Sequence, residues 1–143
     1  MTIPERNLEA EPRLNPQMEI ELILARQLMS YLGVPMFLVD PRGDLLFYNE
    51  AAEGVLGIRF EETGRMMREE WARVFSPTDV EGTPITPDTL PLVIALEHGR
   101  PASAEMYIHG LDDSTRHLHV IGMPVIGLAG KHLGALAILW EVA

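Results

Sequence analysis

The side chains best suited to coordination chemistry lie close together in the last third of the sequence. His117 and His119 are two positions apart in a segment of strand-like alternation, so both would project from one face of a strand. If the turn before them is centred on the two adjacent aspartates, His109 falls opposite His117 on the neighbouring strand. Tyr107 then falls opposite His119, with Glu105 nearby. Three imidazoles and one carboxylate on one face could hold a divalent metal ion.

The same segment has a simpler interpretation as a strand pair with one face in solvent. Between the polar positions runs an apolar row, which consists of Ala104, Met106, Ile108, Leu118 and Val120. Regular alternation of this kind is typical of antiparallel strands with one face on the core. We therefore expect a solvated or interface-facing polar row and no metal. A metal site at His109, His117 and His119 is the alternative, and an interface that responds to pH through these histidines is another.

Motifs for nucleophilic catalysis and phosphate binding are missing from the sequence. There is no cysteine, which excludes thiol catalysis, cysteine zinc sites and photochemistry through a cysteinyl-flavin adduct. No serine stands in a Gly-x-Ser-x-Gly elbow. Lys131 follows a glycine, but Val125 and His132 occupy positions where a phosphate-binding loop needs glycine and Ser or Thr. We assign no catalytic residue and expect that the protein is not an enzyme.

Composition limits the partners of the chain. It has 143 residues, 47% of them hydrophobic, which fits one globular domain. The formal net charge of −10 repels phosphate backbones and anionic membrane surfaces, so we expect no binding to nucleic acid or membranes. No apolar run reaches the roughly 20 residues of a membrane helix, and the polar, acidic start does not match a secretory signal. These features predict a soluble, cytoplasmic protein.

The elements that must position these side chains begin with a helix. Residues 1–16 alternate in charge and contain little to bury, which predicts a flexible leader. Residues 17–33 predict a helix, because apolar side chains recur at helical spacing until a glycine ends the pattern. The stripe comprises Ile20, Ile23, Leu24, Gln27, Leu28 and Tyr31. Two interpretations stay open: the helix packs on the domain's own sheet, or it also forms a homodimer with its twin.

Residues 34–143 predict one domain with a single sheet. Strands are expected at Val34–Asp40, Leu45–Asn49, Ala102–His109, Arg116–Val125 and Leu133–Val142. Helices are expected at Glu50–Leu56, Glu61–Thr63, Arg68–Phe75 and from Thr89–Pro91 to Gly99, with a proline-rich loop at Ser76–Thr89. Asn49 is a suitable N-cap for the first of these helices. Five strands with the helices gathered on one side indicate an α+β fold with an antiparallel sheet.

From Leu22 to Glu141, the order of these elements resembles the PAS family of sensory and signalling domains. The first matching block is FLVDPRGDLLFYNEAAEGVLG, which reads as strand, turn, strand, asparagine and helix. The second, GTPITPDTLPLVIALEHGRP, is similar to the start and centre of the family's long helix. The hairpin Met106–Val125 and the segment GLAGKHLGALAILWEV complete the order. The resemblance implies a PAS-like five-stranded antiparallel sheet with helices on one face, preceded here by an N-terminal amphipathic helix.

The resemblance also implies a cavity between the sheet and the helices that pack on it. Candidate lining residues in this chain are Leu56, Trp71, Phe75, Leu92, Leu96, Met106, Ile108, Val120 and Met123. Such an apolar pocket suits a small, largely apolar ligand better than a charged metabolite. The same side chains could instead fill the core of a ligand-free interaction module. A small α+β enzyme of hot-dog or related shape is a further alternative, but the helices look too short for its long central helix.

Cofactors found in the family can be compared with the residues of this chain. Haem usually needs a histidine ligand on the long helix; His98 lies there, but its place beside Gly99 favours an interaction with the helix C-terminus. A non-covalent flavin could be flanked by Trp71 and Trp140, although both also fit packing roles. The sequence names no cofactor. The resemblance further implies a role in signal input, through a homodimer and an effector domain or partner protein.

Overall fold

The computed structural model describes residues 16–142, with side chains from residue 20 onward. The helices of this region are α1 Pro16–Tyr31, α2 Glu50–Leu56, α3 Phe60–Thr63, α4 Arg68–Val74 and α5 Pro91–His98. The strands are β1 Met36–Val39, β2 Leu45–Tyr48, β3 Ala102–His109, β4 Thr115–Ile126 and β5 His132–Glu141. Single 3-10 turns lie at Pro87–Thr89 and Leu128–Gly130. The leader expected at residues 1–16 falls outside the described residues, except for Pro16, which begins α1.

The five strands form one antiparallel sheet in the order β2-β1-β5-β4-β3. β5 lies in the middle, where it pairs with β1 on one side and with β4 on the other. The two hairpins, β1–β2 and β3–β4, are thereby joined by the last strand of the domain. The expected α+β fold with a five-stranded antiparallel sheet is confirmed.

Local side-chain contacts explain the first hairpin and the helix that follows it. Asp40 accepts hydrogen bonds from the backbone N–H groups of Arg42 and Asp44 at 2.9 and 3.0 Å, which holds the turn between β1 and β2. The Asn49 side chain accepts from the N–H of Ala52 at 3.1 Å and caps α2, as predicted. The first contact holds the β1–β2 hairpin, and the second fixes where α2 begins.

The sheet separates two apolar layers of unequal size. On its inner face, α2, α4 and α5 pack over a large cluster whose strand residues include Phe37, Leu118 and Ala137. On its outer face, α1 buries Leu22 and Met29 in a smaller cluster, which also contains Met36, Leu38, Leu136 and Ile138. The helices that follow β2 therefore cover one face, and the N-terminal helix covers part of the other.

α1 contacts the sheet through a different face from the predicted stripe. Leu22 and Met29 are buried, with Ala25 half-buried between them. The six residues of the stripe are exposed: Ile20, Ile23, Leu24, Gln27, Leu28 and Tyr31. Both faces follow helical spacing, so periodicity alone could not say which of them is buried. Within the described region, neither α1 nor any other helix is long and apolar enough to cross a membrane.

Candidate functional site

An apolar cavity of about 60 Å³ lies between the inner face of the sheet and the helices packed on it. Its walls come from four strands, from α2, α4 and α5, and from the loop between α4 and α5. The lining side chains are Phe37, Leu56, Trp71, Phe75, Pro77, Leu90, Pro91, Leu92, Met106, Ile108, Val120, Ala137 and Leu139. None of these side chains is charged, so a bound molecule would meet hydrocarbon, sulfur and aromatic surface.

Trp71 supplies the only side-chain nitrogen or oxygen among these lining residues, and that nitrogen already has a partner. Its indole N–H donates to the carbonyl of Gly43 at 2.8 Å, in the turn between β1 and β2. The ring of Phe37 packs edge-on against Trp71 and Phe75, with centroid distances of 5.3 and 6.3 Å. An N–H group that is already paired offers no hydrogen bond to a ligand. This wall is therefore closely packed aromatic surface with no free side-chain hydrogen-bonding group.

Helix α5 approaches the sheet closely because β4 carries a glycine beneath it. A Cβ on Gly122 would collide with the backbone carbonyl of Pro91 at the start of α5. Pro91 occupies the first helical position, where a missing N–H costs nothing, and Leu92 after it lines the cavity. The glycine thus sets the distance between α5 and β4, and with it the depth of the cavity.

Seven of the nine residues predicted to line a cavity do so: Leu56, Trp71, Phe75, Leu92, Met106, Ile108 and Val120. Leu96 packs half-buried against the core instead. Met123 lies on the outer face of the sheet, opposite Leu136 of β5. Its assignment to the cavity was wrong because side chains alternate along a strand and Val120 points inward. Ligand binding by the other seven stays a prediction.

Sequence reasoning missed six lining residues: Phe37, Pro77, Leu90, Pro91, Ala137 and Leu139. Three of these had a signal in the sequence. The period of two in β1 and β5 places Phe37, Ala137 and Leu139 on one face, and Phe37 pairs directly with Ala137. Of the three others, Pro77 lies in the proline-rich loop, and Leu90 and Pro91 directly follow it. No periodicity predicts the path of this loop.

The residues around the cavity do not fit haem or a flavin. No histidine belongs to the lining, and His98 is exposed at the end of α5. Trp71 lines the cavity, whereas Trp140 lies beside His119 on the outer face of the sheet, so the two cannot flank one flavin ring. The carbonyl and nitrogen atoms of a flavin would also lose hydrogen bonds on entering this lining. The hypothesis of a flavin between the two tryptophans was therefore wrong.

The register of the histidine-rich hairpin differs from the predicted one by two residues. Tyr107 pairs with His117, and Glu105 pairs with His119. The prediction that His109 faces His117 was wrong, since the N–H of Gly110 donates to the carbonyl of Ser114 and closes the turn one residue earlier than expected. His109 pairs with Thr115 instead.

The three histidines are held by separate partners on the outer face. His117 Nε2 lies 2.9 Å from a carboxylate oxygen of Glu105. His119 stacks on Trp140, with 5.1 Å between the ring centroids. His109 lies near the hydroxyl groups of two threonines, at 3.3 and 3.4 Å. Among the described side chains, those of residues 20–142, no three of ligand type converge on a metal position.

Burial changes the acidity of one tyrosine at the edge of the core. The ring of Tyr48 stacks on that of Phe37 with 5.9 Å between centroids, and its hydroxyl donates to the carbonyl of Ile58 at 2.8 Å. Burial raises the pKa of Tyr48 above its ordinary value of 10.0, and the negative charge of Glu53 acts in the same direction. The phenol therefore stays neutral and keeps its donor role over a wider pH range than an exposed tyrosine.

The apolar stripe on α1 is a second candidate functional surface. Four of its aliphatic residues are more than half exposed: Ile20, Ile23, Leu24 and Leu28. Tyr31 at the end of the helix is 81% exposed. An exposed apolar row on one helix face is typical of surfaces that bind another protein. Among the described residues, the stripe is exposed while the opposite face of α1 packs on the sheet.

Comparison with known proteins identifies the family. The family model described as PAS fold matches residues 24–142. Among solved structures, the LOV protein of Rhodobacter sphaeroides has a TM-score of 0.66 at 15% identity, covering 87% of this chain and 68% of that one. The PAS domain of a protein from Colwellia psychrerythraea has a TM-score of 0.59 at 17% identity, covering 85% and 97%. The PAS domain of BvgS from Bordetella pertussis gives 0.58 at 16% identity, covering 86% of each chain.

No curated protein matches the sequence. The solved structures are distant in sequence, so their likeness shows the fold alone. The family model, by contrast, covers all five strands and most of the chain. The resemblance of the four sequence blocks is thereby confirmed, and the chain belongs to the PAS family, a family of sensory and signalling modules.

Proposed function

We propose that this domain is the sensory and relay part of a signalling or regulatory protein, and that it binds a small, largely apolar ligand. The observation that carries the proposal is the cavity of about 60 Å³ between sheet and helices, whose lining has no charged side chain. Burial in such a space is favourable only for a molecule that needs no hydrogen bonds. A charged metabolite would lose its hydration there without compensation.

The volume of the cavity limits the ligand to a few heavy atoms. An apolar cavity of about 150 Å³ accommodates a benzene molecule. The cavity here has less than half that volume. A larger ligand would have to displace a wall, and the wall that belongs to no regular helix or strand is the proline-rich loop, which contributes Pro77.

A ligand transmits a signal only when it binds one arrangement of the protein better than another. Coupling free energies of this kind are typically about 1–3 kcal/mol. Occupancy of the cavity would press on Leu56 of α2 and Phe37 of β1, which both contact it. The shift in packing would then reach the flanking helix α1 and, through it, an effector domain or partner protein.

Mass spectrometry of compounds released from freshly purified, denatured protein tests the ligand. We expect one small apolar molecule per chain. Since a volatile ligand can escape during purification, methyl NMR shifts under xenon pressure provide a second measurement of cavity binding.

Ala137→Val places two further methyl groups in the cavity and should abolish both signals. Ala104→Val makes the same change on β3, at a half-buried position outside the lining, and should leave both unchanged. An empty extract together with no response to xenon would overturn ligand sensing. That result would favour a ligand-free PAS interaction module.

The second part of the proposal is a homodimer formed through the stripe on α1. Its support is the division of α1 into two apolar faces, of which Leu22 and Met29 face the sheet while the stripe faces solvent. The net charge of −10 repels a second copy at long range, so the contact must be short-range and apolar. Gln27 within the stripe would keep this contact short rather than a long coiled coil.

We further infer that the domain does not catalyse a reaction. Its cavity lining, as described, contains no nucleophile and no general acid or base. The hot-dog alternative needs a long central helix wrapped by the sheet, whereas α5, the longest described helix on the inner face, has only 8 residues.

A further inference from the structure

Asn49 makes more hydrogen bonds than helix capping requires. Its side chain is buried, with 1% of the residue exposed. Oδ1 accepts from the N–H of Ala52 at 3.1 Å, which is the cap of α2, and from the N–H of Met36 at 3.0 Å. Nδ2 donates to the carbonyls of Met29 and Val34, both at 2.9 Å. Every strong donor and acceptor of this amide is therefore used.

The side-chain oxygen of Asn49 is hydrogen-bonded to β1 and α2. Both elements carry a residue that lines the cavity. Met36 begins β1 and directly precedes Phe37, which lines the cavity. Ala52 lies one helical turn before Leu56, which also lines it. A change in cavity occupancy that moves β1 or α2 must therefore also move the N–H groups that hold this oxygen.

The side-chain nitrogen of Asn49 is hydrogen-bonded to the end of α1 and to the connection that follows it. The carbonyl of Met29 belongs to the last turn of α1, where helical carbonyls lack intrahelical partners. Val34 lies in the short connection between α1 and β1. Leu32 in the same connection accepts a weaker contact from this nitrogen at 3.5 Å. The end of α1 is thus bonded to the same amide that caps α2.

Capping alone does not explain the choice of an amide. Aspartate and serine cap helices about as well as asparagine. An aspartate has no donor, however, and a serine hydroxyl has only one. Two donors are needed to bond the carbonyls of Met29 and Val34 at once. The attachment of α1, rather than the cap of α2, therefore explains why this residue is an amide.

We propose that Asn49 is the positioning residue that couples the cavity to α1. Displacement of β1 or α2 by a ligand is passed through this one side chain to the carbonyls at the end of α1. The proposal rests on the sensory function proposed above and specifies the route by which that function reaches the flanking helix.

Amide hydrogen exchange of residues 16–31 in the full chain tests the attachment. Asn49→Asp keeps the capping oxygen but removes both donors, and should make α1 exchange about ten-fold faster. Asn49→Ser also keeps a capping oxygen and introduces no buried charge, so it carries the test if the aspartate variant does not fold. Val93→Ala removes buried volume from α5 outside the cavity and controls for a general loss of stability.

A double substitution tests the coupling itself. Ala137→Val fills the cavity and should change the exchange of α1 in the otherwise unmodified chain. In the Asn49→Ser background, the same substitution should no longer change it. If Asn49 had only a structural role, Asn49→Ser would lower the stability of the protein. Ala137→Val would then still change the exchange of α1 in the Asn49→Ser background.

Three results would overturn the proposal, and they differ in what else they affect. Unchanged α1 exchange in both Asn49 variants would show that the amide does not hold the helix. An Ala137→Val effect that persists in the Asn49→Ser background would show another route and leave the sensory function in place. No effect of Ala137→Val in the unmodified chain would remove both the route and the proposed communication between cavity and helix.

Discussion

Tyr48 places a phenol hydroxyl against the carbonyl of Ile58, 2.8 Å away, at the edge of the helical layer. Burial raises the pKa of this phenol in the folded protein, whereas the unfolded chain ionises near the ordinary value of about 10. As the pH rises, the unfolded state therefore loses its proton first, and folding becomes less favourable. The contribution of the neutral phenol is complete below about pH 10 and is lost as the pH rises through the higher folded-state pKa.

Tyr48→Phe should lower the free energy of unfolding by about 1 kcal/mol at neutral pH, because the hydrogen bond to Ile58 is lost. Above about pH 10 the difference in free energy of unfolding between the variant and the wild type should narrow. The wild type loses stability as its unfolded chain ionises, whereas phenylalanine does not ionise. Urea titrations on both sides of that pH measure the difference. Tyr31→Phe is the matched control, because Tyr31 is largely exposed. An equal alkaline loss of stability in the wild type and in Tyr48→Phe would contradict the expectation.

Single residues differ in how far the sequence predicts them. The cap at Asn49 could be predicted because its partner Ala52 lies three positions away. Its bonds to Met29 and Val34 could not, since they depend on where α1 docks. The cross-strand partner of His117 was wrongly predicted because it also depends on a structural detail, the position of the turn. A shift of one residue in the centre of the turn moves every cross-strand pair by two.

At the scale of elements, α2 contains one glycine and is ended by another, and the two have opposite roles. Gly54 lies in the helix interior, and a Cβ there would meet no atom within 4 Å. Gly57 ends the helix with φ of +80°, and a Cβ there would lie 2.8 Å from the backbone nitrogen of Asp112. The first glycine only adds backbone freedom, whereas the second is required by conformation and by the close approach of the β3–β4 loop.

Gly54→Ala should therefore stabilise the protein by about 0.5–1 kcal/mol, because alanine restricts the unfolded chain and favours the helix. Gly57→Ala should destabilise it by more than about 1 kcal/mol, because alanine is strained at positive φ and clashes with the loop. Chemical denaturation of both variants gives the two free energies. The comparison fails if both substitutions shift stability in the same direction.

Helices and strands whose sequence contains one clear pattern were predicted with the right bounds. Where the sequence contains two apolar faces, as in α1, the buried face was not predicted. Strand β3 and helix α2 have the predicted bounds, since alternation or a cap and a glycine define them. The apolar pattern of α1 predicted a helix, but not that Leu22 and Met29 rather than Ile20 and Leu24 face the sheet. Packing decides between two apolar faces, and packing is not visible in one sequence.

At the scale of the whole molecule, the homodimer is testable through the stripe on α1. Ile20→Glu or Leu24→Glu should convert a dimer to a monomer, because a carboxylate in the contact would be desolvated without a partner. Both residues are more than half exposed in the single chain, so the fold itself should be retained. Light scattering across a dilution series measures the mass.

Val80→Glu is the matched control for this substitution. Val80 is 54% exposed, close to the value for Ile20, but lies in the loop after α4 and outside the stripe. Its variant should keep the mass of the unsubstituted chain. An unchanged mass in both stripe variants would rule out a dimer through this face of α1.

The overall architecture was predictable because four sequence blocks in the right order carry it. The size of the cavity could not be predicted from the sequence, although most of its lining residues could. About 60 Å³ is the small difference between the space enclosed by the sheet and helices and the volume of the side chains that fill it. Such a difference depends on the positions of Phe37, Pro77 and Leu90 to within a fraction of an ångström.

The central place of β5 has a consequence for synthesis on the ribosome. β1 leaves the exit tunnel early, but its neighbour in the sheet is the last strand of the domain, where Met36 pairs with Ile138. Until β5 emerges, the two hairpins cannot join, and apolar side chains such as Phe37 and Val120 stay in contact with water. Late pairing of distant segments prolongs the time in which a nascent chain can aggregate. Chaperone protection during translation therefore matters most for this domain just before its final strand is released.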